Sequence, residues 1–307
     1  METKVVTKKR EHGFTYFFMV LPFLALVFLF AYLPLYGWIY SFYDFRPALG
    51  LAGSEFVGLR WFNLLFNNPT QLRELGRVMR NTFAMSALSL ASSILPLFMA
   101  MFLNEMNNKS FKKFVQIFTT LPNFISWVLV YSMAFMLFSH TGMVNSFLQD
   151  LGIIDTAIRF LDTDRHTWLQ MIGWSIWKGL GWGSIIYLAA IAGIDQELYE
   201  AARVDGAHRF QLMRHITFPG LLPTFLVLFL LGVANILNNG FEQYFVFQNA
   251  FNRGNIEVLD LYIFNIGIAA GNISLATVIG MLKSVVSIVL LLSANWLAKK
   301  IRGESII

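Results

Sequence analysis

The sequence predicts an all-α membrane protein with six transmembrane helices. Two bulk observations point there. Of its 307 residues, 56% are hydrophobic and only 13% are charged, whereas a soluble domain carries roughly a quarter charged residues. The apolar residues gather into six windows, 14–40, 82–103, 114–138, 168–193, 221–247 and 274–298, each near or above the ~20 residues that cross a bilayer. A third observation orients them. Lysines and arginines concentrate in the N-terminal tail, near 105–113, in 197–220 and in the C-terminal tail, and outnumber Arg46, Arg60, Arg73, Arg77, Arg80, Arg159, Arg165 and Arg253 on the opposite side. By the positive-inside rule both termini are then cytoplasmic.

The first window follows "KVVTKKR" and imitates a signal peptide, but its apolar run far exceeds the ~7–15 residues of a signal core. It reads as a retained helix that Pro22 and Pro34 kink or end. The run "RELGRVMR", 73–80, departs most from the charge rule and fits an amphipathic interfacial segment. "IEVLDLYIFNIGIAAG", 256–271, is short and carries Glu257 and Asp260; it reads as an external or partly re-entrant helix. With no internal repeat and no long linker, residues 1–307 read as one transmembrane domain. Tails of 1–13 and 299–307 flank a 14–298 core that contains a cytoplasmic loop at 195–220.

Several chemistries are excluded or unsupported. The chain has no cysteine, hence no disulfide framework and no thiolate metal site. His12, His140, His166, His208 and His215 form no H-E-x-x-H pair. Asp162, Asp164 and His166 in "LDTDRHTW" lack the glycine and distal glutamate of a calcium loop. No metal site is expected. Ser126 and Ser184 have no local base. The net charge of +5 is spread over loops and tails, which is no footprint for nucleic acid.

The loop between the fourth and fifth windows, "ELYEAARVDGAHRFQLMRHITFPG", 197–220, is polar between two very apolar stretches. "DQELYEAARV" is rich in helix formers, Asp205-Gly206 provides a left-handed stop, and "AHRFQLMRHI" resumes a helix that Pro219 closes. Ala201 and Ala202 strip bulk from one helix surface while Glu200 offers a charge to a basic partner.

Glu200-Ala201-Ala202, Asp205, Gly206, Ala207, Ile216 and Pro219 stand at the spacing of the EAA loop of ABC importer permeases, with Phe218 where that pattern has leucine. "LPLYGWIYSFYDFRP", "GWGSIIYLAAIAGIDQELYEAARVDGA" and "NNGFEQYF" extend the resemblance over most of the chain, to the LplB-like branch of the maltose-type sugar permeases. The resemblance implies a MetI-like permease fold whose EAA loop is a coupling helix on a separate ATPase. It also implies a second permease subunit, two ATPase subunits, an extracytoplasmic solute-binding protein, a carbohydrate substrate and a bacterial plasma membrane. Consistent with this, the chain lacks a G-x-x-x-x-G-K-[ST] phosphate loop. No cofactor is expected on this chain; ATP and Mg belong to the partner, and the chain itself is not an enzyme.

For the solute, Asn235, Asn238, Asn239 and Glu242 recur at i, i+3, i+4 and i+7, one face of a continuous fifth helix. Amides match sugar hydroxyls, and equally they join helices. Lys178 and Lys283 lie roughly 15 Å deep at ~1.5 Å per residue, so Glu242 is expected to pair with one of them and leave the other formally free. Trp177 and Trp182 flank Lys178 and could stack on a pyranose ring or mark the membrane interface. An ion-coupled secondary transporter or channel would use the same three charges, and a membrane-bound sensor would use the cytoplasmic loop alone.

Overall fold

The computed structural model describes the backbone of residues 3–302 and the side chains of residues 13–300. The chain divides into two compact units.

The first unit comprises the residues up to Asn68 with Asn265–Leu282. Helix α1 (Thr3–Val27) passes through Pro22 and continues as a π turn, Phe28–Tyr32, and a 3-10 helix, Leu33–Phe42. Pro34 sits at the start of that tighter helix, where its missing N–H leaves no gap in the ladder. Strands β1 (Tyr43–Asp44) and β2 (Glu55–Phe56) pair antiparallel, Tyr43 opposite Phe56, and α2 (Arg60–Asn67) follows. Ser274 Oγ accepts from Phe45 N at 3.0 Å and donates to Tyr43 O at 2.7 Å, tying this hairpin to the start of the last helix.

The second unit holds Pro69–Phe264 and the residues from Lys283. Its helices are α3 (Pro69–Ser92), α4 (Leu95–Asn104), α5 (Lys109–Thr120), α6 (Trp127–Phe138), α7 (Met143–Asp150) and α8 (Thr167–Ala192). These are followed by α9 (Gln196–Val204), α10 (Arg209–Leu212), α11 (Phe218–Ala234), α12 (Glu242–Phe247), α13 (Arg253–Ile256) and α14 (Leu259–Phe264). The final helix, α15 (Ile273–Arg302), begins in the first unit and ends in the second. Among the described residues five helical stretches are long and apolar enough to cross a membrane, or six if α8 and α9, bent by 74°, count as one broken span.

Two predicted windows are cut by their own sequence. The 114–138 window breaks after α5 into a 3-10 turn, Leu121–Phe124, that contains Pro122; α6 restarts with Ser126 as its N-cap. The stretch there that is long and apolar enough to cross a membrane is Trp127–Asp150. The 221–247 window ends at Ala234. Asn235 turns its amide back on Leu231 O at 2.9 Å, Asn238 N bonds Asn235 O at 2.8 Å, and Gly240 takes φ +84°. Asparagine side chains compete with the helix ladder in this way, so the predicted continuous helix face through Asn235–Glu242 does not form. The predicted external or re-entrant segment is a short apolar helix, Leu259–Ala269, too short to span.

α8 is the hub of the second unit. On one level Met171 and Ile172 pack with Met85, Val130, Tyr244 and Phe247; on another, Tyr187 and Ile191 pack with Leu97, Ala100 and Leu221. Against α5, α8 approaches backbone to backbone: a Cβ on Gly181 would lie 2.3 Å from the Thr119 carbonyl. Small residues permit such approach where lipid supplies no hydrophobic drive. The basic run 73–80 finds partners in the chain itself. Arg77 bonds Glu74 at 2.7 Å and the fully buried Glu257 at 2.5 Å, Arg80 bonds Asn255 Oδ1 at 2.7 Å, and Arg253 reaches Glu257 at 3.6 Å.

Candidate functional site

The first candidate surface is α9. Asp195 caps it by accepting from Glu197 N at 3.0 Å, a Glu and an Arg occupy its first and last turns with the sign that suits the helix dipole, and Gly206 ends it at φ +84°. Gln211 Oε1 accepts from His208 N at 3.0 Å and starts α10. One side of α9 is anchored: Tyr199 is buried, with its hydroxyl 3.0 Å from Thr217 Oγ1. The other side is open. Glu200, Ala201, Asp205, Gly206 and Pro219 are exposed and Ala202, Ala207 and Ile216 half-buried. Large apolar side chains stand beside them in solvent, Leu198 at 54%, Phe210 at 64% and Val204 at 87% exposure. An uncovered apolar helix face of this kind is a candidate contact surface.

The second candidate site is a pair of cavities. Asn235, Asn238 and Asn239 line one of about 190 Å³ with Ser86, Ser175 and Tyr244. Asn239 and Ser175 also line its neighbour, of about 470 Å³, with Asn123, Trp127, Lys178, Glu242 and Gln243. The asparagines thus share a site although they do not share a helix face. Their lining is held firmly. Asn239 Nδ2 donates to Ser86 Oγ at 2.8 Å, and Ser86 Oγ donates to Ile236 O. Ser175 donates to Gln243 Oε1 at 2.7 Å, and Gln243 donates to Met171 O at 2.7 Å. Asn239 Oδ1 is buried with no partner among the described residues, an acceptor whose desolvation is uncompensated by the protein.

The charges are arranged differently from the expectation. Among the described residues Lys178 has no ion-pair partner within 4 Å; its ammonium donates to Pro122 O (3.2 Å), Asn123 O (2.7 Å) and Ile125 O (2.7 Å), using all three of its donors on the break between α5 and α6. It also lies 5.5 Å from the centre of the Trp127 ring. Lys283 pairs with Asp260. Glu242 therefore pairs with neither lysine; it is exposed in the larger cavity.

The tryptophans also part company. Trp177 lines a separate apolar cavity of about 340 Å³ with Trp174 and Phe138. Trp182 packs edge-on against Phe124, ring centres 5.7 Å apart. The tryptophan that lines the polar cavity is Trp127, which opens α6 directly after its Ser126 N-cap.

The family described as binding-protein-dependent transport system inner membrane component matches residues 92–303. The chain belongs to that family. Protein LplB of Bacillus subtilis (strain 168) is 39% identical over 94% of this permease and 90% of its own length. The polygalacturonan/rhamnogalacturonan transport system permease protein YteP of the same organism is 38% identical over 94% and 89%. A crystal structure of a bacterial ABC transporter involved in the import of the acidic polysaccharide alginate superposes with a TM-score of 0.83 at 31% identity, covering 97% of this permease and 99% of that chain. A second structure, of a bacterial alginate ABC transporter in complex with an alginate pentasaccharide-bound periplasmic protein, gives the same score. The permease is thus a multi-pass membrane protein of the ABC importer class, similar throughout its length to carbohydrate permeases. Lys283 and Asp260 compensate each other, and Lys178 is held by peptide carbonyls.

Proposed function

We propose that this permease forms part of the translocation pathway for an oligosaccharide, by alternating access driven by a separate ATPase. The observation that carries the coupling half of the reading is α9, a capped helix turned 74° from α8 with its apolar side uncovered. In this reading Glu200, Ala201, Ala202, Asp205, Gly206 and Ala207 seat on the ATPase, while Ile216 and Pro219 carry its motion into α11. α9 is anchored through Tyr199 to Thr217, so a force on it reaches the root of α11.

The pathway half rests on the paired cavities. Asn235, Asn238, Asn239 and Glu242 offer donors and acceptors suited to hydroxyls, and Trp127 offers an apolar ring face. Lys178 sets the wall and its positive field; its donors are already engaged. Trp177, Trp182 and Lys283 belong to the packing around the pathway. ATP and Mg bind the partner ATPase, this chain holds no cofactor, and both termini face the cytoplasm. The assembly contains a second permease chain, two ATPase subunits and an extracytoplasmic solute-binding protein.

Purification of the tagged permease from its native membrane, with mass spectrometry of what accompanies it, tests the assembly. An ATPase and a second permease are expected, both lost with Ala202→Arg, together with carbohydrate uptake in cells. Recovery of the permease alone under conditions that preserve complexes would sink the reading.

A further inference from the structure

Beneath α9 lies a polar cavity of about 730 Å³ that neither the coupling surface nor the solute path uses. Its cations come from three different helices: Lys112 from α5, Arg203 from α9 and Arg209 from α10. Glu105 is the one carboxylate in the lining, and among the described residues none of the four makes an ion pair. Gln116 and the ring of the buried Tyr199 complete one wall. Three cations around one void repel one another, and a single acid leaves a net positive charge there.

We propose that this cavity binds a phosphate-bearing anion that links α5 to the coupling helix. Arginines suit phosphate because the guanidinium fork bonds two oxygens at once, and lysine adds a point charge. The position suits it as well. Basic pockets between membrane helices on the cytoplasmic side are sites for anionic lipid headgroups, and the cavity lies where α4, α8 and α9 meet, between the ends of apolar helices and the exposed loop. The volume admits a phosphate with a glycerol-sized substituent. Either a phospholipid headgroup or a free phosphate has the required chemistry. Bound there, the anion would join Lys112 on the core to Arg203 and Arg209 on the lever, so that α9 and α5 move together.

The test uses the intact purified complex in nanodiscs. Native mass spectrometry counts retained phosphatidylglycerol, and thermal unfolding followed by tryptophan fluorescence is read in phosphatidylcholine discs with and without phosphatidylglycerol, and in phosphatidylcholine discs titrated with inorganic phosphate. A response to phosphatidylglycerol alone identifies a lipid headgroup; a response to inorganic phosphate identifies the free anion; both support the site. Lys112→Gln with Arg209→Gln should weaken the response about tenfold or more, and the charge-keeping pair Lys112→Arg with Arg209→Lys should preserve it, which separates lost binding from lost folding. No response of the wild-type complex to either probe, or an undiminished response in the Gln pair, would overturn the proposal. So would loss of the ATPase from the Gln pair without any anion effect in the wild type, since the cations would then serve the protein partner.

Discussion

Lys283 of α15 and Asp260 of α14 form an ion pair in which both side chains are largely buried, at 15% and 19% exposure. Each is the other's compensation in an apolar setting. Removing one partner leaves the other charged and unmatched, so Lys283→Met should lower stability by about 3 kcal/mol. Lys283→Met combined with Asp260→Asn should recover most of it, because no uncompensated charge remains. Thermal unfolding of the two variants in mild detergent decides this. Equal stability of the single and double variants would show that the pair does not operate.

Lys178 gives a contrasting expectation. Its three hydrogen bonds end on the carbonyls of Pro122, Asn123 and Ile125, so Lys178→Met should reduce the yield of folded, monodisperse protein, with about 2 kcal/mol lost for a charge-assisted bond set. Asn239→Ala removes an amide that lines both cavities and should instead raise the uptake KM. A KM effect larger for Lys178→Met than for Asn239→Ala, in protein of normal yield, would reverse the two roles.

Gly181 is predicted to be intolerant of a single methyl group. The added Cβ would meet the Thr119 carbonyl and Thr120 N, at 2.3 and 2.6 Å, and backbone cannot swing aside as a side chain can. Gly181→Ala should therefore destabilise by about 3 kcal/mol. Gly179→Ala, two residues earlier on the same helix, meets nothing within 4 Å and should be close to neutral or mildly stabilising. Melting curves of the two single variants make the comparison.

Gly206 stands in the left-handed region at φ +84° with open space around it, so its requirement is conformational. Gly206→Ala should cost about 1–2 kcal/mol locally, and because it alters the turn between α9 and α10 the loss should fall on coupling. Substrate-stimulated ATP hydrolysis of the purified assembly should drop while the amount of assembled complex holds. Unchanged stimulation would show that the turn's geometry is dispensable.

Much of the architecture could be read from the chain because apolar length is a one-dimensional signal. The chain reads as six spans and the described residues hold five or six such stretches; the helix-turn-helix of 196–217 also follows from runs of residues, and Asp205-Gly206 stops its helix as such a pair should. What could not be read depends on where breaks fall and on partners distant in sequence. Pro122 and the asparagines from 235 interrupt runs that hydropathy alone joins. Glu242 has the right sign and depth to pair with Lys178 or Lys283, yet Lys283 meets Asp260, a residue whose charge argued only against a span. Trp127 reaches the cavity while Trp177 and Trp182, nearer to Lys178 in sequence, point elsewhere. Arg77 of the 73–80 run likewise meets Glu257, far along the chain.

The unwound stretch between α11 and α12 has a mechanical meaning. A straight helix bends only by giving up hydrogen bonds along its ladder, which opposes any change in the angle between its halves. Here the ladder already stops at Ala234 and resumes at Glu242, with Gly240 between them at φ +84°. The unwound segment lines both cavities, with Asn239 in the wall of each. In the alternating-access cycle proposed above, α12 would tilt relative to α11 by torsion about a few bonds, and the asparagines proposed to meet the solute would ride on the pivot.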